Sequence, residues 1–491
     1  MPAMSMPRRI VIVGGGLSGL TCARAIAIGA AKAGNRVEVV VLEAGARFGG
    51  IIATEQKDEF VMDHGPDGWV TNKPEATALA TELGLDDEVI PTIEKNRRVY
   101  LVHEGRLHPM PEGLVLGIPT RISPIVKTAI FSLRAKARMA FEPLVPRGNF
   151  EGDADESIGH FIERRLGHEV ADRLVGPLLG GIFAGDAGSI SVRAAFPQLV
   201  AAEKKFGSLL LAMREQKRSV KSPSMFASLR GGMGRLIEAL IRDLEKRDDV
   251  TLKTGASVRK VTRVEGAADS NGARNTGSFV IELASGTVER ADVIVVATPV
   301  PAAAGVLRSL EGGAAEAIDA MMGTVSSATV FFGFDRTSIK HALDASGFIV
   351  PRSEGEQLLA STWVSSKWVQ RAPEGRVLLR GFVGGAGHEK ILENDDDALS
   401  AFALLELRKL MPISGSPLFS RVFRFDNASP QLNVGHLVRA RRLRENLEKM
   451  PNVFVIGNGY EGVGMPACIK HASETANAIV GGSSQNSAGS A

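Results

Sequence analysis

The chain has 491 residues, 44% of them hydrophobic and 23% charged, with 58 basic residues against 55 acidic ones and a net charge of +3. That length implies two or three domains, the composition is ordinary for a globular protein, and the near balance of charge gives no reason to expect a nucleic-acid partner. The two cysteines, Cys22 and Cys468, lie far apart; this speaks against a disulfide framework and suits a reducing, cytoplasmic setting, no Cys/His cluster has metal-ligand spacing, no window holds about 18 uninterrupted apolar residues, and Met1 to Pro7 is too short for a signal peptide.

Arg9 to Val13 reads as a buried strand running into Gly14-x-Gly16-x-x-Gly19. An Ala-rich helix follows to about Ala33, and a second apolar strand, Val37 to Leu42, ends at Glu43. This is the layout of a dinucleotide-binding unit. Gly14 permits the tight turn, Gly16 lets backbone approach a pyrophosphate, and Gly19 lets helix pack on strand. The backbone of Gly14, Gly15, Gly16, Leu17, Ser18 and Gly19 then faces the phosphates, and Glu43 accepts from a ribose diol. Beyond it, Ala44 leads into Arg47-Phe48-Gly49-Gly50, a second glycine pair that a nicotinamide cofactor does not need and that FAD proteins of the glutathione-reductase-like class carry.

Phe60 to Asp63 reads as a strand, followed by a loop containing Gly65, Pro66, Asp67 and Gly68 that can lay backbone along a flat ring. Asp63 and His64 admit a catalytic reading or that of a local hydrogen-bonding pair. Pro74 to Leu83 is a short helix closed by Gly84. Arg97 to Leu107 is a hairpin around Glu104-Gly105. In the Pro-rich stretch to Phe150, the residues Ile122, Ile125, Val126, Ala129, Ile130 and Leu133 recur at helical spacing. Arg121, Lys127, Arg134, Lys136, Arg138 and Arg147 accompany them, and between Arg121 and Arg147 Glu142 is the one acid. This segment suits an anionic membrane surface or packing on the protein's own core, and both stay open.

A capped helix runs to Gly167 and another from His168 to Leu179. Gly180 to Asp186 is a glycine-rich loop, and Ser191 to Arg218 is helical again. A helix then leads to strands at Val250 and Val258, a hairpin turns at Ser285-Gly286, and Ala291 to Pro299 is a buried strand. Gly266 to Gly277 reads as a loose connection. Strand-like runs at Ala328–Phe334, Leu358–Val364 and Val377–Val383 alternate with a helix at Asp397–Leu410. Finally Asn452 to Gly464 is again a strand entering glycines before a helix, Ala467 to Val480, and Gly481 to Ala491 is a disordered tail.

Five motifs resemble those of the oxygen-dependent protoporphyrinogen oxidase family, FAD proteins related to the monoamine oxidases. They are Asp63-His-Gly-Pro-Asp-Gly-Trp, Gly181-Ile-Phe-Ala-Gly-Asp, Phe196-Pro-Gln-Leu-Val, Pro430-Gln-Leu-Asn-Val-Gly-His and Tyr460-Glu-Gly-Val-Gly-Met-Pro-Ala-Cys. The resemblance runs from about residue 8 to residue 482. It implies non-covalent FAD held at Gly14 to Gly19, Glu43, Ala44, Arg47, Gly49, Gly50 and the Gly65-Pro66-Asp67-Gly68 loop. Val258 meets the adenine, and Asn458, Val463, Gly464 and Met465 border the flavin and ribityl chain. Arg97 matches the Arg that pairs with a porphyrin propionate, although Arg98 beside it leaves the choice of partner open. Gly181 matches the glycine whose carbonyl faces the reacting carbon. No general base is named, since flavin N5 accepts the hydride. The implied reaction is the six-electron oxidation of protoporphyrinogen IX with dioxygen as acceptor and hydrogen peroxide as by-product. Hand-over of the porphyrin to a ferrochelatase, a dimeric state and a peripheral position on the inner face of the cell membrane are compatible with it.

The resulting expectation is an α/β plus α+β fold: a glutathione-reductase-like FAD-binding domain, a mixed-sheet substrate domain and a mainly helical insertion. The FAD-binding domain is assembled from residues 8–95, 221–305 and 426–482, the helical insertion spans 96–220, the substrate domain 306–425, and the tail 483–491. Coproporphyrinogen III oxidase is the alternative, since the last motif fits it equally. An amine oxidase or carotenoid desaturase on the same fold is a further one, disfavoured for amines because 2 Tyr and 3 Trp are poor material for an aromatic cage. A non-catalytic flavin-binding protein would have lost Arg97 or the glycine turns, and neither is lost.

Overall fold

The computed structural model describes residues 7–487 apart from 112–113, 116–117, 120–121, 217–223, 265–277, 311, 322 and 356–357. Arg121, the 266–277 connection and the end of the tail, 488–491, lie outside the described residues.

The β-branched runs at the start, middle and end of the chain form one parallel sheet. Its order in space is Val250–Lys253, Val37–Leu42, Arg8–Val13, Val293–Val296, Val453–Val455. Parallel strands are buried on both faces, and side chains alternate accordingly. Ile10, Ile12, Val39, Val41, Val293 and Val295 pack under the helices Leu17–Ala33, Gly234–Glu245 and Met465–Ser487. Val11, Val13, Val40, Ile294 and Val296 face the antiparallel strands Val258–Val264, Ser278–Leu283 and Val288–Ala291 and the helices behind them. Three segments of sequence thus make one cofactor layer.

A seven-stranded mixed sheet forms the second body, in the order Phe419–Pro430, Thr324–Asp335, Arg376–Gly384, Leu358–Trp363, Gly347–Ile349, Tyr100–His103, Arg106–Pro109. Two features depart from the sequence reading. The 100–109 hairpin, grouped there with the helical insertion, joins this sheet through a parallel pairing of Phe348 with Tyr100. The long strand Phe419–Pro430 was not anticipated and runs through position 425, where a domain boundary was drawn. It is an edge strand, half exposed along its length, so its apolar residues never form a continuous run.

One face of this sheet is covered by the helix Asp396–Leu410. The other carries the helical layer, whose core joins Phe161, Leu166, Leu174, Leu179 and Phe183 to Leu101, Ile349 and Ala360 of the sheet. The layer corrects three expectations. The pattern from Ile122 to Leu133 is not one helix but two, Ile122–Lys127 and Leu133–Ala140, the second capped by Ser132 Oγ; Ile125 and Ile130 are buried while Val126 and Leu133 face solvent. The stretch from Gly180 is not a loop. The chain from His168 is helical through Phe183, with a π-wound segment at Ala171–Val175, because Leu179 and Phe183 anchor the last turns in the core despite two glycines. The stretch expected as one helix over 191–218 holds three short ones, Val192–Ala195, Pro197–Phe206 and Leu209–Gln216, broken by Phe196 and Gly207, while 217–218 lie outside the described residues. The closing helix runs Met465–Ser487, so the Ser/Gly tail begins as helix.

Glu142, the lone acid of the basic stretch, is fully buried and ion-paired with Arg165, which also reaches Glu203. Ser208 Oγ and the Leu209 amide complete its shell. Breaking such a pair strands a charge, so the cluster specifies how the helical layer packs.

Candidate active site

The first glycine turn closes tightly. Gly14 has φ +111°, and a Cβ there would lie 2.7 Å from Ala297 O; one on Gly19 would lie 2.0 Å from Gly14 O. The helix that follows starts at Gly16 with no side-chain cap and no acidic residue in its first turn, while a Cβ on Gly16 would meet nothing within 4 Å. Uncapped amides beside an open glycine are the arrangement that suits an anion. The second glycine pair is laid against the first: Gly49 N donates to Gly15 O at 2.8 Å, and Gly16 and Gly49 are bridged. Arg47 Nη2 donates to Gly50 O at 2.8 Å, which braces this turn rather than leaving Arg47 for a phosphate.

Glu43 is fixed by two amides, Gly15 N to Oε2 at 2.8 Å and Gly45 N to Oε1 at 2.7 Å. Each carboxylate oxygen keeps a second lone pair for a ribose hydroxyl. Ala256 N donates to Glu43 O and Gly255 N to Gly45 O, which brings Ala44 and the start of the Val258 strand to this end of the cradle. At the other end, Asn458 Oδ1 accepts from Gly464 N at 3.0 Å and shapes the turn that leads into Met465. Val463 of this turn packs into the helical-layer core together with Phe382. Backbone from three separate segments of the chain meets at this cradle, and the residues present fit an adenine dinucleotide.

The His64–Gly68 loop is held from behind by groups that the sequence reading missed. Arg380 Nη2 donates to His64 O and Gly65 O, both at 2.7 Å, and Thr329 Oγ1 to His64 O at 3.1 Å. The His64 ring stacks on Phe423 at 3.6 Å. Asp67, expected against the cofactor, commits its carboxylate elsewhere: Lys367 Nζ and Trp368 Nε1 donate to Oδ2 at 2.8 and 2.9 Å. Burial raises its pKa, but the charges of Lys367 and Arg380 and these hydrogen bonds outweigh that and hold it well below the usual carboxylate range. Burial, with Arg47 nearby, pushes His64 down to about 4, so its imidazole is neutral at ordinary pH. Asp63 and His64 are not partners. Asp63 accepts from Thr54 Oγ1 at 2.6 Å and Met233 N at 2.7 Å and lies 3.1 Å from Arg371. One signal was available: Arg380 interrupts the apolar strand Val377–Val383, where a cation needs a reason.

Gly181 sits in the last turn of its helix, whose final carbonyls have no intrahelical donor. Neighbouring carbonyls are taken, Phe183 O by Gln431 Nε2 at 2.9 Å and Ala184 O by Ala386 N at 2.8 Å. Among the described residues no turn or side-chain donor reaches Gly181 O, and a Cβ at Gly181 would meet nothing within 4 Å. Arg98 lies 3.6 Å from Asp344, whereas the exposed Arg97 guanidinium has no protein partner among the described residues. Of the two, Arg97 is thus the guanidinium without a carboxylate beside it among the described residues. Arg97 and the end of the Gly181 helix flank the strand Gly347–Ile349 at its two ends: Ser346 N donates to Arg98 O, and Arg352 Nη2 donates to Gly185 O at 3.3 Å. Among the described residues no His/Cys/Asp/Glu group could hold a metal, and no helix is long and apolar enough to cross a membrane.

Comparison with known proteins agrees with this architecture. Residues 17–480 match the model of the flavin-containing amine oxidoreductases. Coproporphyrinogen III oxidase of Bacillus subtilis (strain 168) is 36% identical over 472 residues, 94% of this chain and 96% of that protein. Chloroplastic protoporphyrinogen oxidase of Nicotiana tabacum is 28% identical, covering 96% of this chain and 85% of the relative. A solved structure from Exiguobacterium sp. 255-15, provisionally assigned as a protoporphyrinogen oxidase, has TM-score 0.84 at 30% identity over 97% and 99% of the two chains. A putrescine oxidase variant, with TM-score 0.66 at 17% identity and the same coverage, shares the fold.

Proposed function

The chain belongs to the family of flavin-containing amine oxidoreductases, and from that premise we propose that it oxidises coproporphyrinogen III to coproporphyrin III, with FAD bound non-covalently and dioxygen as acceptor. The observation that carries the choice of substrate is the 36% identity to a coproporphyrinogen III oxidase over nearly the full length of both chains. The motifs alone put protoporphyrinogen first; the relatives favour the alternative, and the reading moves with them.

When bound, FAD supplies the two-electron chemistry. The chain's own contribution is placement. The uncapped amides after Gly16 and the Gly49-Gly50 turn bind the pyrophosphate, Glu43 orients the ribose, and the loop pinned by Arg380 and Thr329 presents backbone to the ring system. The aliphatic layer around Leu179, Ile349, Ala360 and Phe382 excludes water from an apolar macrocycle, Arg97 offers a fork to a propionate, and the Gly181 carbonyl offers a dipole to the carbon that loses hydride. Non-covalent binding is supported by Cys468, which burial pushes up and which is a poor nucleophile in that state.

The test is turnover of both porphyrinogens by the purified yellow protein, followed by porphyrin fluorescence and oxygen uptake. A preference for coproporphyrinogen is expected. Exclusive use of protoporphyrinogen restores the second reading, which the tobacco relative supports, and a protein that cannot be loaded with FAD overturns both.

For localisation we propose reversible docking on an anionic surface through the helices at 122–140 and the turn after them. Val126, Leu133, Phe141 and Leu144 are exposed there, beside Lys127 and Arg134. Co-sedimentation with phosphatidylglycerol vesicles at low salt tests it; protein that stays in the supernatant refutes it.

A further inference from the structure

Five charged side chains, Asp63, Asp67, Lys367, Arg371 and Arg380, stand behind the His64–Gly68 loop, apart from Arg47 and the Glu55–Arg421 pair, which flank His64. Two pairs cancel: Arg371 lies 3.1 Å from Asp63, and Lys367 lies 2.8 Å from Asp67. Arg380 is left over. Among the described residues its guanidinium meets no carboxylate within ion-pair distance, and Asp67, which influences it through space, is saturated by Lys367 and Trp368. Arg380 is only 4% exposed and lies between the rings of Phe331 and Phe382, at 5.2 and 4.6 Å from their centroids. Its polar contacts are the His64 and Gly65 carbonyls, both at 2.7 Å.

A buried cation held by carbonyl dipoles and aromatic faces alone is an expensive arrangement. An aliphatic side chain would serve the sheet better, since the neighbours Leu378 and Leu379 are fully buried. Stability therefore does not account for Arg380. What distinguishes its position is the loop it grips, with two successive carbonyls drawn toward one planar group.

We propose that Arg380 is a positioning residue for the flavin: it pulls the His64 and Gly65 carbonyls back into the sheet, so that the loop presents its opposite side to the ring system, and it leaves one uncompensated positive charge there that favours electrons on the bound flavin. The inference rests on the flavin reading given above. It differs from the roles of Lys367 and Arg371, whose charges are neutralised by their partners.

Two variants separate grip from charge. Arg380→Gln keeps a donor and removes the charge; Arg380→Lys keeps the charge and shortens the reach of the donor that Nη2 supplies. The readouts are the two-electron midpoint potential of the bound flavin, by dye equilibration, and the dissociation constant of FAD from apoprotein, by flavin fluorescence. In R380Q the equilibrium moves roughly tenfold toward oxidised flavin, a fall of about 30 mV. In R380K the potential stays near that of the unsubstituted protein, while FAD binds about fivefold more weakly because the shorter lysine side chain does not carry its donor to the place where Nη2 meets both carbonyls. An R380Q protein that keeps the original potential overturns the proposal. Should R380Q fail to fold, R380K decides, and original FAD affinity in R380K overturns it equally. If the unsubstituted protein takes up no FAD, the flavin reading falls and this inference with it; if it takes up FAD and R380Q keeps its potential, this inference falls alone.

Discussion

Lys367 donates to both carboxylate oxygens of Asp67, at 3.0 and 2.8 Å, across 300 residues of chain. The bond ties the sheet body to the His64–Gly68 loop. Lys367→Met should strand a largely buried carboxylate and cost about 3 kcal/mol of stability, with lowered flavin content. Combining it with Asp67→Asn should recover part of the loss, since the pair is coupled. Unfolding midpoints and the visible spectrum of the four proteins check this; additive losses would refute the coupling. The sign with pH follows from the lowered folded pKa of Asp67. The pair's contribution is present above the unfolded value of about 3.9 and is lost as pH falls below it.

Gly181→Ala separates fold from function. A methyl at this helical position meets no protein atom within 4 Å, and replacing a helical Gly by Ala adds about 0.5–1 kcal/mol of stability. If the macrocycle lies against this carbonyl, the methyl occupies its place. Thermal stability should hold or rise and flavin uptake should be unchanged, while porphyrinogen turnover falls at least severalfold. Full turnover would remove Gly181 from the substrate site.

Arg97→Ala should act on binding. Loss of a charge-assisted contact to a propionate is worth about 1.5–3 kcal/mol, or roughly ten- to hundredfold in KM, with kcat and the flavin spectrum little changed. Arg98→Ala, which removes a side chain already beside Asp344, should have a much smaller effect. Equal effects of the two would show that Arg97 is not the propionate partner.

The neutral state of His64 has a pH signature of its own. Its folded pKa is depressed to about 4 by burial, so below the unfolded value of about 6.5 the unfolded chain gains a proton that the folded one does not. Stability should therefore decline as pH falls from about 6.5 toward 4, with full stability above that window. His64→Gln should flatten the decline in unfolding midpoints measured between pH 7 and 4. An equally steep decline in H64Q would assign it to other groups.

Much of the cofactor layer was legible because its signals are local. The Gly14-x-Gly16-x-x-Gly19 turn, the acid at Glu43, the Gly49-Gly50 pair and the closing turn at Gly464 each state their backbone requirement within a few residues. Parallel strands buried on both faces also read as unbroken apolar runs. Legibility failed where neighbours override local preference. Gly180 and Gly181 look like a loop until Leu179 and Phe183 are seen anchoring the helix in a core. Phe419–Pro430 looks irregular until it is paired with Thr324–Asp335.

By itself the sequence determined the glycine turns and the buried strands of the parallel sheet and nominated Arg97 and Gly181, because glycine spacing, strand alternation and motif order are properties of short stretches. Only the tertiary structure decided that, among the described residues, Arg98 lies beside Asp344 and Arg97 does not, that Asp67 belongs to Lys367 and Trp368, and that Arg380 stands behind the loop with no carboxylate within ion-pair distance. Ion pairing and burial depend on groups hundreds of residues apart, and the sheet alone brings them within a few ångströms of one another.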